Sequence, residues 1–596
     1  MKMRVVDYLM EEVYNEGAKH IFFVPGTGCM FLTDALARND DIDAISVHHE
    51  QAAGMAAISY AKYNNTLGAC VVTTGCGGTN ALTPLLDAWQ DSVPAIFISG
   101  QANRNQTVHN SPVKLRQMGR QEADIIALTQ HITKYSVILN DPDRVVYEIG
   151  KAIYYAKEGR KGPSWIDVPM DIQSAIIDPE EQERFVPRVD KLKAELDEHD
   201  AQMLMDLLME AERPIVLAGN GIRLADAVNE FGEFINRYRI PVTYSRLGHD
   251  ILETDNKLSI GMVGMLGASR AGNFAIQNAD LVLSIGCRLS IDTTGYEYEK
   301  FARDAKIVVV DIDEVEHSKN TVAIDRFIYA DARSFLKYMN LKEVPKHWED
   351  WCDKCFHWKN HYPVCIDEYK HGNKINMYYF TEALSKVLPA SATVVSDAGN
   401  TFFTVSPVIH IKKGQRSITS GCQAEMGYAL PAAIGISYAS NGVVVAVNGD
   451  GSVMMNLQEL ETLAFTQRDV KVCIMNNNGY SSIRHLQNNA FRGRQIGCDS
   501  TTGISFTNFE LLAKAFGISY IKIEGSDDLE NKISTIFEVK GPVICEVICV
   551  EEQPFIGVAA ALNSKRRYVN RPLEDQAPWL EREDFLREMI VEPIDQ

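Results

Sequence analysis

Short apolar runs rich in Val and Ile recur along this chain, each followed closely by Gly, Asp or Asn and then by a longer amphipathic stretch. Runs such as ACVVT at 69–73, AIFIS at 95–99, IVLA at 215–218, LVLSI at 281–285 and IVVVD at 307–311 read as strands buried on both faces. The series continues at 394–396, 443–447, 472–475 and 543–547. Strands alternating with helices in this way predict an α/β fold built on parallel sheets. Ligands of such sheets bind beyond the carboxyl ends of the strands, so the residues there are the first candidates for a site.

The chain has 596 residues, and at about 150 residues per domain it is too long for one core. Residues 178–200 are charged and carry two prolines, and residues 343–375 are rich in Trp, Lys and His. Read as linkers, these stretches divide the chain into 1–180, 190–345 and 370–560, with a C-terminal tail over 561–596. The opening MKMRVVDYLM has no apolar run of signal-peptide length, and no window of about eighteen uninterrupted apolar residues follows. Twelve sparse, irregular cysteines do not read as a secreted disulfide framework, so a reduced, cytoplasmic setting is expected. A formal charge of −20 is the wrong sign for a general nucleic-acid surface. Neither nucleic acid nor a membrane is expected as a partner.

The sharpest chemical signal lies in the third block. The strand VVVAVNGDGS (443–452) leads into MMNLQELETLAF, which has helical spacing, and then into a second strand, KVCIMNNNGYSS (471–482). Asp450 precedes Asn477 by 27 residues, which suits one strand–helix–strand unit with both at neighbouring strand ends. A carboxylate, an amide oxygen and a backbone carbonyl near Gly479 are hard oxygen donors suited to Mg²⁺. Gly449 and Gly451 let backbone approach a phosphate, and a helix starting near Ser452 offers it unpaired N–H groups. Alone, Gly-Asp-Gly-Ser is a weak signal and reads first as a turn and helix cap.

In the first block, ISVHHEQAAGMAA (45–57) places Glu50 after an apolar strand and before an Ala-rich helix. By itself Glu50 reads as a helix-start residue. In the second linker Cys352, Cys355, His357, His361 and Cys365 invite a zinc reading, but CxxCxHxxxHxxxC is not a common zinc pattern. Trp348, Trp351 and Trp358 at helical intervals argue for packing instead.

Together these segments resemble the thiamine-diphosphate-dependent enzymes, in their acetolactate synthase-like branch. GDG followed after twenty-odd residues by NN is similar to the family's diphosphate–magnesium motif. VPGTG (24–28), TGCGGTNALTPLLDAWQDSVPAIFISGQ (74–101), RQEADIIALTQHITKYS (120–136) and GPSWIDVPMDIQ (162–173) resemble its pyrimidine domain. GMVGMLG (261–267), ADLVLSIGCR (279–288) and VVVDIDEVE (308–316) resemble its central domain, and SDAGNTFF (396–403) and SGCQAEMGYALPAAIG (420–435) its cofactor domain. The resemblance spans roughly residues 3–550. It implies three doubly wound parallel-sheet domains: pyrimidine-binding, central Rossmann-like and diphosphate-binding.

Carried over position by position, the resemblance makes Glu50 the activator of the aminopyrimidine N1′, a role that burial in an apolar pocket favours through proton sharing. Met426 is the apolar wedge that bends the cofactor, and the carbonyl of Ala424 accepts from its amino group. Pro25, Gly26 and Asn80 fall in the pyrimidine-side loops. Gly399, Asn400 and Thr401 form the diphosphate-side loop, with Gly449, Asp450, Gly451, Ser452, Asn477 and Tyr480. Asp450, Asn477 and the carbonyl of Gly479 are the magnesium ligands. Gln121 faces the substrate pocket, and Glu50, Gln121, His49 and Arg120 are the expected catalytic residues.

The implied reaction is decarboxylation of a 2-oxo acid, pyruvate in the synthases, with carboligation of the remaining two-carbon unit to an acceptor carbonyl. The implied assembly is a homodimer or homotetramer with active sites between subunits. Departures keep alternatives open. His48 stands where the synthases usually have Arg, Arg120 where they usually have Phe, and GPGATN becomes GCGGTN with Cys76 and Gly78. These suit transfer to a keto-sugar or sugar nucleotide, while a C–C hydrolase, a simple decarboxylase and a silent binding relative are the other readings. For FAD the residues divide: AGNG (218–221), Cys287-Arg288 and DID (311–313) fit its pattern, whereas LSIDTTG and Leu266 depart from it.

Overall fold

The computed structural model describes residues 1–187, 196–557, 560–562 and 568–594. Parts of the expected linker (188–195) and tail (563–567 and 595–596) lie outside the described residues.

Three six-stranded sheets form the architecture, and every pairing within them is parallel. The first runs Asp43–Ser46, His20–Phe23, Gly68–Val72, Ala95–Gln101, Pro163–Pro169, Tyr135–Ile138 across the sheet. In order of appearance that is 2-1-3-4-6-5. The third sheet repeats this order with Arg416–Thr419, Thr393–Ser396, Val444–Gly449, Val470–Asn476, Val543–Ile548 and Ser519–Ile523. The central sheet differs. Its order is 3-2-1-4-5-6, from Ser259–Met262 through Pro214–Ala218 and Leu281–Ile285 to Arg326–Tyr329. In each sheet the strand order reverses beside the first strand, which opens a crevice at the carboxyl ends.

The first and third domains share one core. Helix Glu50–Asn64 is capped by His49, whose Nδ1 accepts from Gln51 N, and ends at Asn65 in the left-handed conformation. Ala52, Ala53, Ala56 and Ala57 keep its surface thin, so helix Ala429–Ala439, itself apolar all round, packs closely on it. A Cβ at Gly435 would lie 2.1 Å from the Ala56 carbonyl oxygen. Only glycine permits that approach.

Two sequence expectations need correction. The stretch 349–361, read as part of a linker, is helix Glu349–His361, and Trp351, Cys355 and Trp358 join the central core. The indoles of Trp348 and Trp351 donate to the carbonyls of Ala211 and Pro214 at 2.8 Å each, which fixes the helix on the domain. The helix expected near Ser452 opens as a short 3-10 turn, Val453–Asn456, and becomes α-helical only at Glu459–Thr466. That turn lets the Asn456 amide donate to Gly427 O at 2.9 Å and Gln51 Oε1 at 3.1 Å.

The C-terminal tail returns to the central domain, where Leu573 and Phe585 enter its core. Glu588 accepts from the Trp358 indole at 2.8 Å and the Tyr362 hydroxyl at 3.2 Å, and pairs with Lys354 at 2.6 Å. Among the described residues no helix is long and apolar enough to cross a membrane, and no cysteine is in a disulfide.

Candidate active site

The third sheet brings four loops to one rim. Asp450 follows strand Val444–Gly449 and Asn477 follows the adjacent Val470–Asn476, as their spacing predicts. Asp450 is 2% exposed; its carboxylate accepts from Gly451 N at 2.8 Å and Gly479 N at 2.9 Å. Burial pushes this carboxyl up to about 6, and the surrounding backbone N–H groups pull the other way. The Asn477 amide oxygen is buried with no hydrogen-bond partner. Gly479 has φ 134°, and a Cβ there would lie 2.1 Å from the Cys498 carbonyl, so the turn after Asn477 requires glycine. A Cβ at Gly451 would meet the Tyr480 ring at 2.1 Å, so that ring packs closely against the Asp450 loop.

On the other side, strand Thr393–Ser396 ends in Asp397, Gly399 at φ 62°, Asn400 and Thr401. Both side-chain polar atoms of Asn400 are buried and unpartnered. Thr401 is spent locally, donating to Ala398 O at 3.0 Å. After strand Arg416–Thr419 the chain passes through Ala424, a non-glycine residue held at φ 47°, to Met426. A left-handed alanine is strained, and such positions cluster at functional sites. The Asn477 oxygen and both polar atoms of Asn400, buried without partners beside the buried Asp450 carboxylate, are costly unless something fills the rim.

The first domain supplies the second half. Glu50 is buried, and its Oε2 accepts from the Asn80 amide at 2.9 Å. Its Oε1 faces Gly77, where an added Cβ would stand 3.4 Å away. Gly26 lies against Thr73, where a Cβ would meet Oγ1 at 2.4 Å; Pro25 precedes it at the end of strand His20–Phe23. Gln121, at φ 61°, sets its carbonyl on Gly75: a Cβ there would stand 1.9 Å from that oxygen. The loop ending in Arg120 and Gln121 therefore sits beside the turn that faces Glu50. Arg120 itself is exposed and makes no ion pair among the described residues. His49 is used as the helix cap described above.

The first and third domains also touch inside the chain. The His48 N–H donates to Glu459 Oε1 at 3.0 Å, and Gln51, Asn456 and Gly427 form a chain of hydrogen bonds next to Met426. Several of these residues carry no local signal. Asp397, 1% exposed, accepts from Ala398, Gly427 and Ala429 N–H groups and so fixes the Met426 turn. Arg484 donates to the carbonyls of Asn477 and Asn478 at 3.2 and 3.3 Å. The SDAGN motif pointed to the neighbourhood of Asp397, but nothing local marked Glu459, Asn456 or Arg484.

At the reversal point of the central sheet lies a groove of about 1500 Å³, lined by Asn220, Gly221, Gly286, Arg288 and Asp311 and reaching Ala424. Gly219 and Gly286 touch through backbone, since a Cβ at Gly219 would stand 2.1 Å from Gly286 O. Leu266 packs on the returning Gly557. The cysteines and histidines once open to a zinc reading serve packing: Cys352 donates to Arg239 O at 3.1 Å, Cys355 is in the core and His357 pairs with Glu588 at 3.2 Å. Among the described residues no group of three or more His, Cys, Asp or Glu side chains could hold a metal.

Three domains of the thiamine pyrophosphate enzymes match the chain: the N-terminal TPP binding domain over residues 3–128, the central domain over 201–339 and the C-terminal TPP binding domain over 397–547. The acetolactate synthase large subunit of Haemophilus influenzae is 30% identical over 566 residues, covering 93% of this chain and 96% of that protein. Chloroplastic acetolactate synthase of Arabidopsis thaliana is 30% identical, covering 92% and 81%. The large subunit of Lactococcus lactis is also 30% identical, covering 92% and 93%. The chain belongs to the thiamine pyrophosphate enzymes, in the branch that contains the acetolactate synthase large subunits.

Proposed function

We propose that this protein decarboxylates a 2-oxo acid, pyruvate first among candidates, and joins the remaining two-carbon unit to an acceptor carbonyl. The observation that carries this reading is the unpartnered Asn477 oxygen and Asn400 amide on one rim with the buried Asp450 carboxylate, facing loops that hold Ala424 and Met426. The donors fit thiamine diphosphate with Mg²⁺: Asp450 Oδ, Asn477 Oδ1 and the Gly479 carbonyl are hard oxygens for the ion, and Asn400 with the Gly449–Ser452 turn meets the diphosphate. When bound, thiamine diphosphate supplies the electron sink for loss of CO₂ and carries the two-carbon unit to the acceptor.

The chain's own residues do the rest. Glu50 holds or releases a proton at Oε1, because Oε2 is occupied by Asn80. Asn80 keeps the carboxyl oriented, and Met426 with Ala424 fixes the bend of the cofactor. The Gly75–Gly77 turn and Gln121 border the space beside Glu50, where substrate positioning is needed.

Lys114, Arg116 and Arg120 favour an anionic acceptor such as a phosphorylated sugar. All three are exposed cations without ion-pair partners among the described residues, on one loop ending at Gln121, in a chain of net charge −20. We assign the central groove to FAD, on its volume, its glycine-to-glycine closure and the Arg288 guanidinium, which has no partner among the described residues. We also assign the protein to a homodimer or larger assembly with active sites shared between subunits. Exposed Ile483, Leu486 and Phe491 after the Asn477 turn, and Val113, Leu115 and Met118 before Gln121, support it by leaving apolar surface beside both half-sites. The free cysteines suit a cytoplasmic location.

The test is to incubate purified protein with thiamine diphosphate, Mg²⁺ and pyruvate over a panel of neutral and phosphorylated carbonyl acceptors, with mass detection. Products two carbons heavier than an acceptor support the reading, and the preferred acceptor charge tests the role of the basic loop. Acetaldehyde alone would favour simple decarboxylation. Flavin released on denaturation tests FAD. Mixing Glu50→Gln with Asp450→Ala protein under subunit exchange tests shared sites, since mixed dimers would restore activity.

A further inference from the structure

The loop that carries Ala424 and Met426 is sewn to the first domain by a buried charged cluster. Lys62, on helix Glu50–Asn64, reaches Asp91 at 2.8 Å, Asp87 at 3.1 Å and the Thr419 carbonyl at 3.2 Å. Asp91 accepts from Gly421 N at 2.8 Å, and the Gln423 amide donates to Gln90 at 2.7 Å. The Ser420 hydroxyl lies 3.1 Å from Asp87 Oδ1 and also contacts Glu425 Oε2. Also facing the cluster are the Cys422 thiol, directed to Gln90 O, the Arg288 guanidinium, which acts on that thiol from the central groove, and Tyr428, whose ring lies 5.1 Å from Lys62 Nζ and whose hydroxyl is bonded to Ser59. Glu425 Oε1 is buried without a partner.

Proton counting constrains this arrangement. A serine hydroxyl has one proton to donate, yet Ser420 touches carboxyl oxygens of two residues. One of those contacts therefore needs a proton supplied by the carboxyl. Charge counting agrees: three buried carboxyls surround one ammonium, and ionising all three would leave two negative charges uncompensated.

We propose that Asp87 and Glu425 share one resident proton through Ser420, and that this proton holds the 420–426 loop in place, making Glu425 a positioning residue for the cofactor site. The functional part rests on the roles proposed for Ala424 and Met426; the proton itself does not. Burial pushes Glu425 up to about 7 and Asp87 upward, while at Asp91 burial is outweighed by Lys62, which holds that carboxyl low. For carboxyls raised in the folded state, the proton is held at acid pH and lost as pH rises through about 7. Above that pH Glu425 is repelled by the acids of 87–91, and the loop loosens.

The test is infrared difference spectroscopy of the cofactor-loaded protein, wild type against Glu425→Gln, with thiamine diphosphate affinity measured from about pH 6 to about pH 9. Glutamine keeps an acceptor for Ser420 but cannot ionise. The difference spectrum should show a protonated-carboxyl carbonyl stretch, shifted in D₂O, that the variant has lost. Wild-type affinity should weaken by about tenfold toward alkaline pH, while the variant stays flat. No difference band, or an equal pH slope in both proteins, overturns the proposal. If Glu425→Gln does not fold, Ser420→Ala breaks the bridge: the band should move and the slope change, and an unchanged band refutes it. The band is read without turnover, so failure of the proposed reaction would leave it intact.

Discussion

The backbone N–H of His48 donates to the fully buried carboxylate of Glu459 at 3.0 Å, joining residues 411 positions apart. His48 lies two residues before Glu50, so this contact sets the start of the Glu50 helix on the third domain. Glu459 also accepts from the Thr462 hydroxyl at 2.7 Å. Glu459→Ala would leave the His48 N–H without its acceptor and should cost about 2 kcal/mol of stability. Activity should fall as well, because Glu50 loses its registration. Denaturant unfolding together with turnover checks this, and a variant matching wild type in both would contradict it.

Asp450→Ala removes the carboxylate that binds the Gly451 and Gly479 N–H groups and is assigned to the metal. Cofactor affinity should fall by at least about a hundredfold, as loss of a charged hard ligand from a buried diphosphate site implies. Calorimetric titration with thiamine diphosphate and Mg²⁺ reads this directly. Unchanged affinity would remove Asp450 from the site.

Glu50→Gln preserves shape and the Asn80 contact but cannot accept or give a proton. Hydrogen–deuterium exchange at C2 of the bound cofactor should slow by on the order of a hundredfold, with binding retained. A wild-type exchange rate would refute the role of Glu50.

Asp167 supplies a pH test away from the site. It is buried, accepting from the Ser99 hydroxyl at 2.6 Å and the Gln101 amide at 3.0 Å, and burial pushes it up to about 7. A carboxyl raised in the folded state holds its proton there more tightly than in the unfolded chain. Its contribution is therefore present at acid pH and lost as pH rises from about 4 to about 7, by about 4 kcal/mol at most. Asp167→Asn should flatten that part of the stability curve, as measured by urea unfolding at several pH values. A slope equal to wild type would show that Asp167 does not titrate in this range.

The buried strands were legible because Val- and Ile-rich runs ending in Gly, Asp or Asn have little alternative but a doubly covered sheet. The Asp450–Asn477 pair was legible for the same reason, since one strand–helix–strand unit fixes both at neighbouring strand ends. Strand order was not, because first and third sheets share 2-1-3-4-6-5 while the central one does not, and local periodicity is blind to that. Helix Glu349–His361 looked like a linker because its charged face dominates its composition; only the central core reveals where Trp351 and Trp358 go. Glu459, Asn456 and Arg484 act on residues reached through folding, so their surroundings in sequence say nothing of their partners.

Glu50 and Asp450 are proposed to serve one thiamine-diphosphate site that decarboxylates a 2-oxo acid. The most direct measurement is release of labelled CO₂ from [1-¹³C]pyruvate by purified protein, with and without thiamine diphosphate and Mg²⁺, for wild type, Glu50→Gln and Asp450→Ala. Cofactor-dependent release by wild type and a large loss in both variants are expected. Release that does not require thiamine diphosphate, or that survives both substitutions, would contradict it.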